Sequence, residues 1–146
     1  MIFLDLEREV NDIIDELGVT VKETPELDAD AKYIALMDTI VIASNLPERI
    51  RLLRLLHELG HAAKHKNNFV LYRKANACRL KMEKEAEEFM IEKMIESRFS
   101  DPDFEPLSFS TTNFLESYDL DMKYEPIVKE FMTSYCIKSH LYSNFF

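Results

Sequence analysis

The sequence predicts an α+β fold in which a small antiparallel sheet packs on helices, followed by a helical C-terminal extension. Three observations predict this class. Apolar residues recur at helical spacing near the start of the chain and in two long central segments. Short β-prone runs lie between the first two of these helical stretches. The composition, 47% hydrophobic and 31% charged over 146 residues, suits one folded domain with a hydrophobic core.

The first third of the chain is predicted to hold one helix and three short strands. A helix over 4–17 follows from its apolar spacing, and Gly18 stands where a helix C-terminus favours glycine. The strands are expected at 19–23, 33–36 and 39–42. Because only 37–38 separate the last two runs, they are expected to form a hairpin or meander.

A helix is predicted over 47–66, with Ser44 or Asn45 as its N-cap and a proline in its first turn. A wheel with about 100° per residue gives this helix one apolar stripe, which should face the core. The stripe comprises Leu52, Leu56, Leu59 and Ala63. His57 and His61 fall together on roughly the opposite side.

A second long helix is predicted over about 75–98, which is rich in the helix-favouring residues Glu, Lys and Met. Two prolines and many small polar residues follow, so 100–111 is expected to be a loop. The tail, 112–146, is expected to be mostly helical. The predicted organisation is therefore a single domain, 1–146, with its core at 1–99.

The acidic balance of the chain limits its partners. Acidic residues number 27 against 18 basic ones, and the formal net charge of −9 repels phosphate backbones, so no direct nucleic-acid binding is expected. The two cysteines, Cys78 and Cys136, are isolated, which is typical of a reduced, cytoplasmic protein. No segment approaches the apolar length of a membrane span, so no membrane partner is expected.

The segment His57-Glu58-Leu59-Gly60-His61 places two histidines four residues apart on the first long helix. This spacing aims both imidazoles at one point, as a tetrahedral zinc ion requires. Glu58 is turned away from the pair, so it is expected to reach a water molecule at the metal and not to bind the metal. Gly60 is one of two glycines in the chain, and its position inside a helix suggests close approach by another backbone segment. The alternative is a solvated helix edge, so a third ligand is needed.

The second long helix carries two glutamates on its apolar face. Its apolar arc comprises Leu80, Met82, Ala86, Phe89, Met90, Ile91 and Met94. Glu83 and Glu87 fall inside this arc, whereas Glu85, Glu88 and Glu92 lie on the polar side. Buried carboxylates are costly unless a cation compensates them, and a metal held by the histidines would do so. From spacing alone, either residue can be the third ligand and the other its hydrogen-bonding support. The alternative is that this end of the helix is exposed.

These residues together resemble the ImmA/IrrE-type zinc metallopeptidases, members of the larger gluzincin group. The likeness rests on the segment 57–61, on His65 completing an HELGHxxxH pattern, and on Glu83-x-x-Ala86 before Phe89. It covers about residues 31–95. The resemblance implies a zincin-like fold and a peptidase that hydrolyses a protein substrate.

The resemblance also implies residue roles. The zinc ligands would be His57, His61 and Glu83, and the catalytic base would be Glu58. Family members in prophages and other mobile elements cleave helix-turn-helix repressors, so such a repressor is the expected substrate. The alternative is a non-catalytic, zinc-containing antirepressor that acts by protein binding.

Overall fold

The computed structural model describes residues 2–66 and 76–145, which form five α-helices and a three-stranded sheet. The helices are α1 (Ile2–Leu17), α2 (Glu48–His65), α3 (Asn76–Ser100), α4 (Thr111–Ser117) and α5 (Glu125–Phe145). The strands are β1 (Thr20–Thr24), β2 (Ala31–Ile34) and β3 (Thr39–Ala43). The predicted α+β class is confirmed.

Helix α1 ends as its sequence predicts. Gly18 adopts the left-handed backbone conformation, with φ of +69°, and its N–H donates to the carbonyl of Ile14 at 2.9 Å. Glycine accepts this conformation without the Cβ clash that other residues suffer, so the chain can leave the helix and enter β1 at once. Leu6, Val10 and Ile13 are buried, and α1 packs through this face against α2.

The sheet is mixed, with β3 at its centre. Strand β2 pairs antiparallel with β3, whereas β1 pairs parallel with it. The chain reverses direction between β1 and β2 and again between β2 and β3, so β1 and β3 run the same way. The antiparallel arrangement predicted for the whole sheet therefore holds for the β2–β3 pair, and β1 is the exception. Ile40 and Ile42 of the central strand are fully buried.

Helix α2 begins later than its predicted caps. Its N-cap is Pro47, which makes no side-chain cap bond, so the assignment of Ser44 or Asn45 as the cap is wrong. The reason is that the Ser44 amide extends the sheet, donating to the Thr24 carbonyl at 3.0 Å. The Pro47 carbonyl accepts the first helical bond, from Arg51, at 2.9 Å.

The buried surface of α2 is wider than one stripe. Leu52, Leu56 and Leu59 are buried as predicted, but Ala63 is exposed and Ala62 is buried in its place. A single stripe is too narrow because α2 packs on α1, β2 and β3 and also meets α3 on its histidine face. The predicted single apolar stripe, which is typical of a helix packed on one side only, therefore underestimates the buried surface of α2.

The chain divides into two compact units, 1–90 and 91–146, and α3 contributes to both. In the second unit, Phe114 and Leu115 of α4 and Val128 of α5 are buried, and α4 packs against α5. Within α3, Leu80 is 64% exposed, so its place in the predicted apolar arc is wrong. Leu80 lies two residues before Met82, which is the first buried residue of α3 in the part of the chain that the structure describes. In the part of the chain that the structure describes, no helix is long and apolar enough to cross a membrane.

Candidate metal centre

The close approach of α2 and α3 is set by Gly60. A Cβ atom at this position would lie 3.0 Å from the Cα of Ala86 and 3.1 Å from its carbonyl oxygen, both of them backbone atoms. Only a residue without a side chain allows the two helices to touch here. Gly60 directly precedes His61, and Ala86 lies between Glu83 and Glu87, so the contact brings the histidines and the glutamates together. The predicted reason for a glycine inside α2 is thus confirmed.

Two histidines of α2 converge on one carboxylate of α3. Nε2 of His57 lies 2.9 Å from Oε2 of Glu83, and Nε2 of His61 lies 3.2 Å from Oε1 of the same group. Ligand atoms of all three residues lie within 4.8 Å of one another. His61 is 4% exposed, so the alternative of a solvated helix edge does not describe it.

This donor set fits a divalent metal ion. A tetrahedral zinc ion holds nitrogen and oxygen ligands at about 2.0–2.2 Å, which separates neighbouring ligand atoms by roughly 3.4 Å. The separations of 2.9 and 3.2 Å are close to that value. Two imidazoles and one carboxylate leave a fourth position open, as catalytic sites require. The residues that can hold a metal are therefore His57, His61 and Glu83.

Glu87 lies behind His57, on the side away from Glu83. Its Oε1 is 3.4 Å from Nδ1 of His57, longer than an ordinary hydrogen bond. Burial opposes a charge on the His57 ring, but its interactions with Glu83 and Glu87 raise its pKa to about 10. The two carboxylates thus stabilise positive charge at this ring, and a bound cation would supply that charge in place of the proton. If Nε2 of His57 bound a metal, the ring proton would lie on Nδ1 and face Glu87.

Glu58 is held by the edge of the sheet and does not join the donor cluster. Its Oε2 accepts a hydrogen bond from the backbone N–H of Tyr33 on β2, at 2.8 Å. Burial raises the pKa of Glu58, while His61, His57 and the Tyr33 amide act in the opposite direction. No residue type in the sequence signals this contact, because every residue except proline carries the same backbone donor.

A further contact joins the far side of His61 to α3. Nδ1 of His61 lies 3.1 Å from Nδ1 of His65, and Nε2 of His65 lies 3.1 Å from Oε2 of Glu85. Burial lowers the pKa of His65 despite the hydrogen bond to Glu85, and so favours the neutral form of its ring. Glu85, predicted on the solvated side, is 37% exposed and also has a partner in His65 that the helical wheel does not predict. His65 lies one turn beyond His61 and reaches around to the flank of α3 that carries Glu85.

The comparison with protein families agrees with this geometry. The family model Peptidase_M78, described as IrrE N-terminal-like domain, matches residues 14–125, well over half of the chain. The chain belongs to this family. Peptidase_M78 membership makes it a peptidase-type hydrolase with a protein substrate in general, and the cluster of His57, His61 and Glu83 fits a metal cofactor. The predicted relation to ImmA/IrrE-type metallopeptidases is confirmed. Neither the curated proteins nor the solved structures gave a match to the chain.

Proposed function

We propose that this member of Peptidase_M78 is a zinc-dependent endopeptidase. His57, His61 and Glu83 hold the metal in this proposal, and Glu58 is the general base. The observation that carries it is the convergence of two buried imidazoles on one carboxylate, with their ligand atoms within 4.8 Å of one another. Zinc is favoured over magnesium or calcium because two of the three donors are imidazole nitrogens.

The reaction is hydrolysis of a peptide bond. When bound, zinc would polarise the scissile carbonyl and make water acidic enough to react near neutral pH. Glu58 has one oxygen, Oε2, engaged by the Tyr33 amide, and we assign proton transfer to its other oxygen, Oε1. Oε1 would take a proton from the attacking water and deliver it to the leaving nitrogen as the C–N bond breaks. The raised pKa of Glu58 suits this role, because the carboxyl must hold the proton between the two steps.

The proposed substrate is a helix-turn-helix repressor, as the resemblance to ImmA/IrrE-type peptidases implies. The formal net charge of −9 supports this choice, because DNA-binding proteins carry basic surfaces that an acidic partner attracts. The same charge argues against the DNA itself as a ligand. A repressor substrate would also place the enzyme in the cytoplasm.

The test is cleavage of a purified helix-turn-helix repressor, taken from the neighbouring genes where one is encoded there, with zinc-loaded protein. Wild type should cleave it, and Glu58→Gln should lose on the order of 10²–10⁴-fold in rate while still binding zinc. The amide oxygen introduced by Glu58→Gln can still accept the Tyr33 N–H, so the fold should persist. Glu88→Gln removes a carboxylate from α3 at a position paired with Lys84, 3.8 Å away, and should cleave normally.

Two results would contradict the proposal. Wild type that binds one zinc ion but leaves the repressor intact would remove the endopeptidase assignment. A Glu58→Gln variant that inactivates the repressor as well as wild type, without cleavage, would favour the non-catalytic antirepressor. Loss of zinc in His57→Ala together with loss of cleavage would support the ligand assignment.

A further inference from the structure

We propose that His65 and Glu85 are positioning residues for the metal ligand His61, joined to it by a chain of two hydrogen bonds. This inference rests on the proposed function, because it concerns how one of the assigned ligands is held. It adds two residues that bind no metal themselves but act on the ligand from its far side.

The His61 ring is oriented so that its two nitrogens face different partners. Its Nε2 lies 3.2 Å from Oε1 of Glu83, on the side where the metal would bind. Its other nitrogen, Nδ1, lies 3.1 Å from Nδ1 of His65. The two nitrogens of one imidazole point in different directions, so the same ring can serve the metal and the hydrogen bond together.

The proton positions on the His61 and His65 rings are determined by this arrangement. A metal on Nε2 of His61 leaves the ring proton on Nδ1, which then donates to Nδ1 of His65. Nδ1 of His65 must accept, so its own proton lies on Nε2. That N–H donates to Oε2 of Glu85 at 3.1 Å. One arrangement of protons therefore satisfies every bond in the chain, and it fixes the tautomer of His61 that a metal requires.

The two proposed histidine ligands differ in how their far nitrogens reach a carboxylate. His57 faces a carboxylate directly, with Oε1 of Glu87 3.4 Å from its Nδ1. His61 reaches a carboxylate only through the imidazole of His65, which is 3% exposed. Hydrogen bonds to the far nitrogen of a ligating histidine orient the ring and raise its basicity. The chain through His65 would give His61 the kind of support that Glu87 would give His57 once a metal occupies its Nε2.

The test measures zinc affinity by competition with a chromophoric chelator, and the visible spectrum of the Co²⁺-loaded protein. Glu85→Ala should weaken zinc binding about 10-fold, and His65→Leu should weaken it about 10- to 100-fold. Glu85→Gln should stay within about threefold of wild type, because its amide oxygen can still accept the His65 N–H. The Co²⁺ spectrum should change in Glu85→Ala and His65→Leu, since the geometry of a ligand changes.

The control is Glu88→Ala, which removes the same charge from α3 one turn away. Its side chain is 37% exposed, as is that of Glu85, so an effect of charge alone would appear in both variants. Glu85→Ala lies at a partly exposed position and tests the inference even if His65→Leu fails to fold. Wild-type affinity and an unchanged Co²⁺ spectrum in Glu85→Ala would overturn the inference while leaving the proposed function in place. Wild-type protein that binds no zinc would overturn both.

Discussion

Replacing Gly60 by alanine adds one methyl group at the contact between α2 and α3. The new Cβ would meet the Cα of Ala86 at 3.0 Å, its carbonyl oxygen at 3.1 Å and the Cβ of Phe89 at 3.2 Å. Carbon atoms in good contact are about 3.5–4.0 Å apart, so α3 must move away by roughly half an ångström. Two of the three atoms belong to the backbone, and therefore no change of rotamer relieves the contact.

Two effects oppose each other in the free energy of unfolding. Alanine favours a helix interior over glycine by about 1 kcal/mol. Forcing an extra methyl group into a close-packed contact costs about 1–3 kcal/mol, and a backbone contact belongs in the upper part of that range. We therefore expect Gly60→Ala to lower the free energy of unfolding of the metal-free protein by about 1 kcal/mol.

The same displacement should reach the proposed metal site of His57, His61 and Glu83. Moving α3 outward lengthens the distances from Glu83 to His57 and His61, which are 2.9 and 3.2 Å. A site loosened by a large fraction of an ångström loses much of its function, and we expect zinc affinity to fall about 10-fold. Urea unfolding and chelator competition measure the two effects on the same protein.

Ala63→Gly is the matched control for Gly60→Ala. Ala63 lies on α2 three residues later and is exposed, so glycine there costs about 1 kcal/mol of helix propensity without changing the contact with α3. Both variants should be less stable, but zinc affinity should fall in Gly60→Ala alone. A Gly60→Ala protein that is about 1 kcal/mol more stable than wild type, with unchanged zinc affinity, would refute the reasoning.

Three further predictions concern single side chains. Glu83→Gln should weaken zinc binding by about 100-fold or more, measured by chelator competition, whereas Glu88→Gln should not; equal effects would point to charge and not to ligation. Glu87→Ala should weaken zinc binding by about 10-fold, because His57 loses the acceptor beside its Nδ1, and wild-type affinity in this variant would show that Glu87 does not support the ligand. Tyr33→Phe removes the hydroxyl that donates to Asp38 at 2.7 Å and should cost about 1 kcal/mol at pH 7 in urea unfolding. The Tyr33 hydrogen bond holds the pKa of Asp38 below its ordinary 3.8, so this stability is present above that pH and is lost as pH falls through the lower, folded value. A difference from wild type that grows on acidification would contradict the assignment.

The helix that carries the two histidines can be predicted from sequence because the spacing of its residues is a local property. A spacing of four residues places His57 and His61 on one face of any helix, whatever surrounds it. Gly60 is informative because glycine is disfavoured inside helices, and Glu83 because a carboxylate is disfavoured among apolar residues. Each of these two residues would destabilise its helix if no other part of the protein contacted it. Its presence therefore indicates a tertiary contact that compensates for the unfavourable free energy.

The contacts that sequence does not predict depend on neighbours distant along the chain. A helical wheel assigns Glu85 to the solvated side of α3. The wheel identifies which side of a helix faces the core, but it does not show that His65 of another helix contacts Glu85. The parallel pairing of β1 with β3 depends on strand order, which local periodicity does not determine. Ser44 has the chemistry of a helix cap, but its backbone is used by the sheet. In each case a tertiary contact overrides a local preference.

The anchor of Glu58 on β2 is a main-chain group, and this has a consequence for how the protein can vary. Almost any genetically encoded amino acid would present the same donor at position 33, and only an imino acid would abolish it. The donor that orients the proposed base therefore does not depend on which side chain stands at position 33. A substitution of Tyr33, which is 2% exposed and hydrogen-bonded to Asp38, would change the packing around β2 but would keep a main-chain N–H at the position that holds the glutamate.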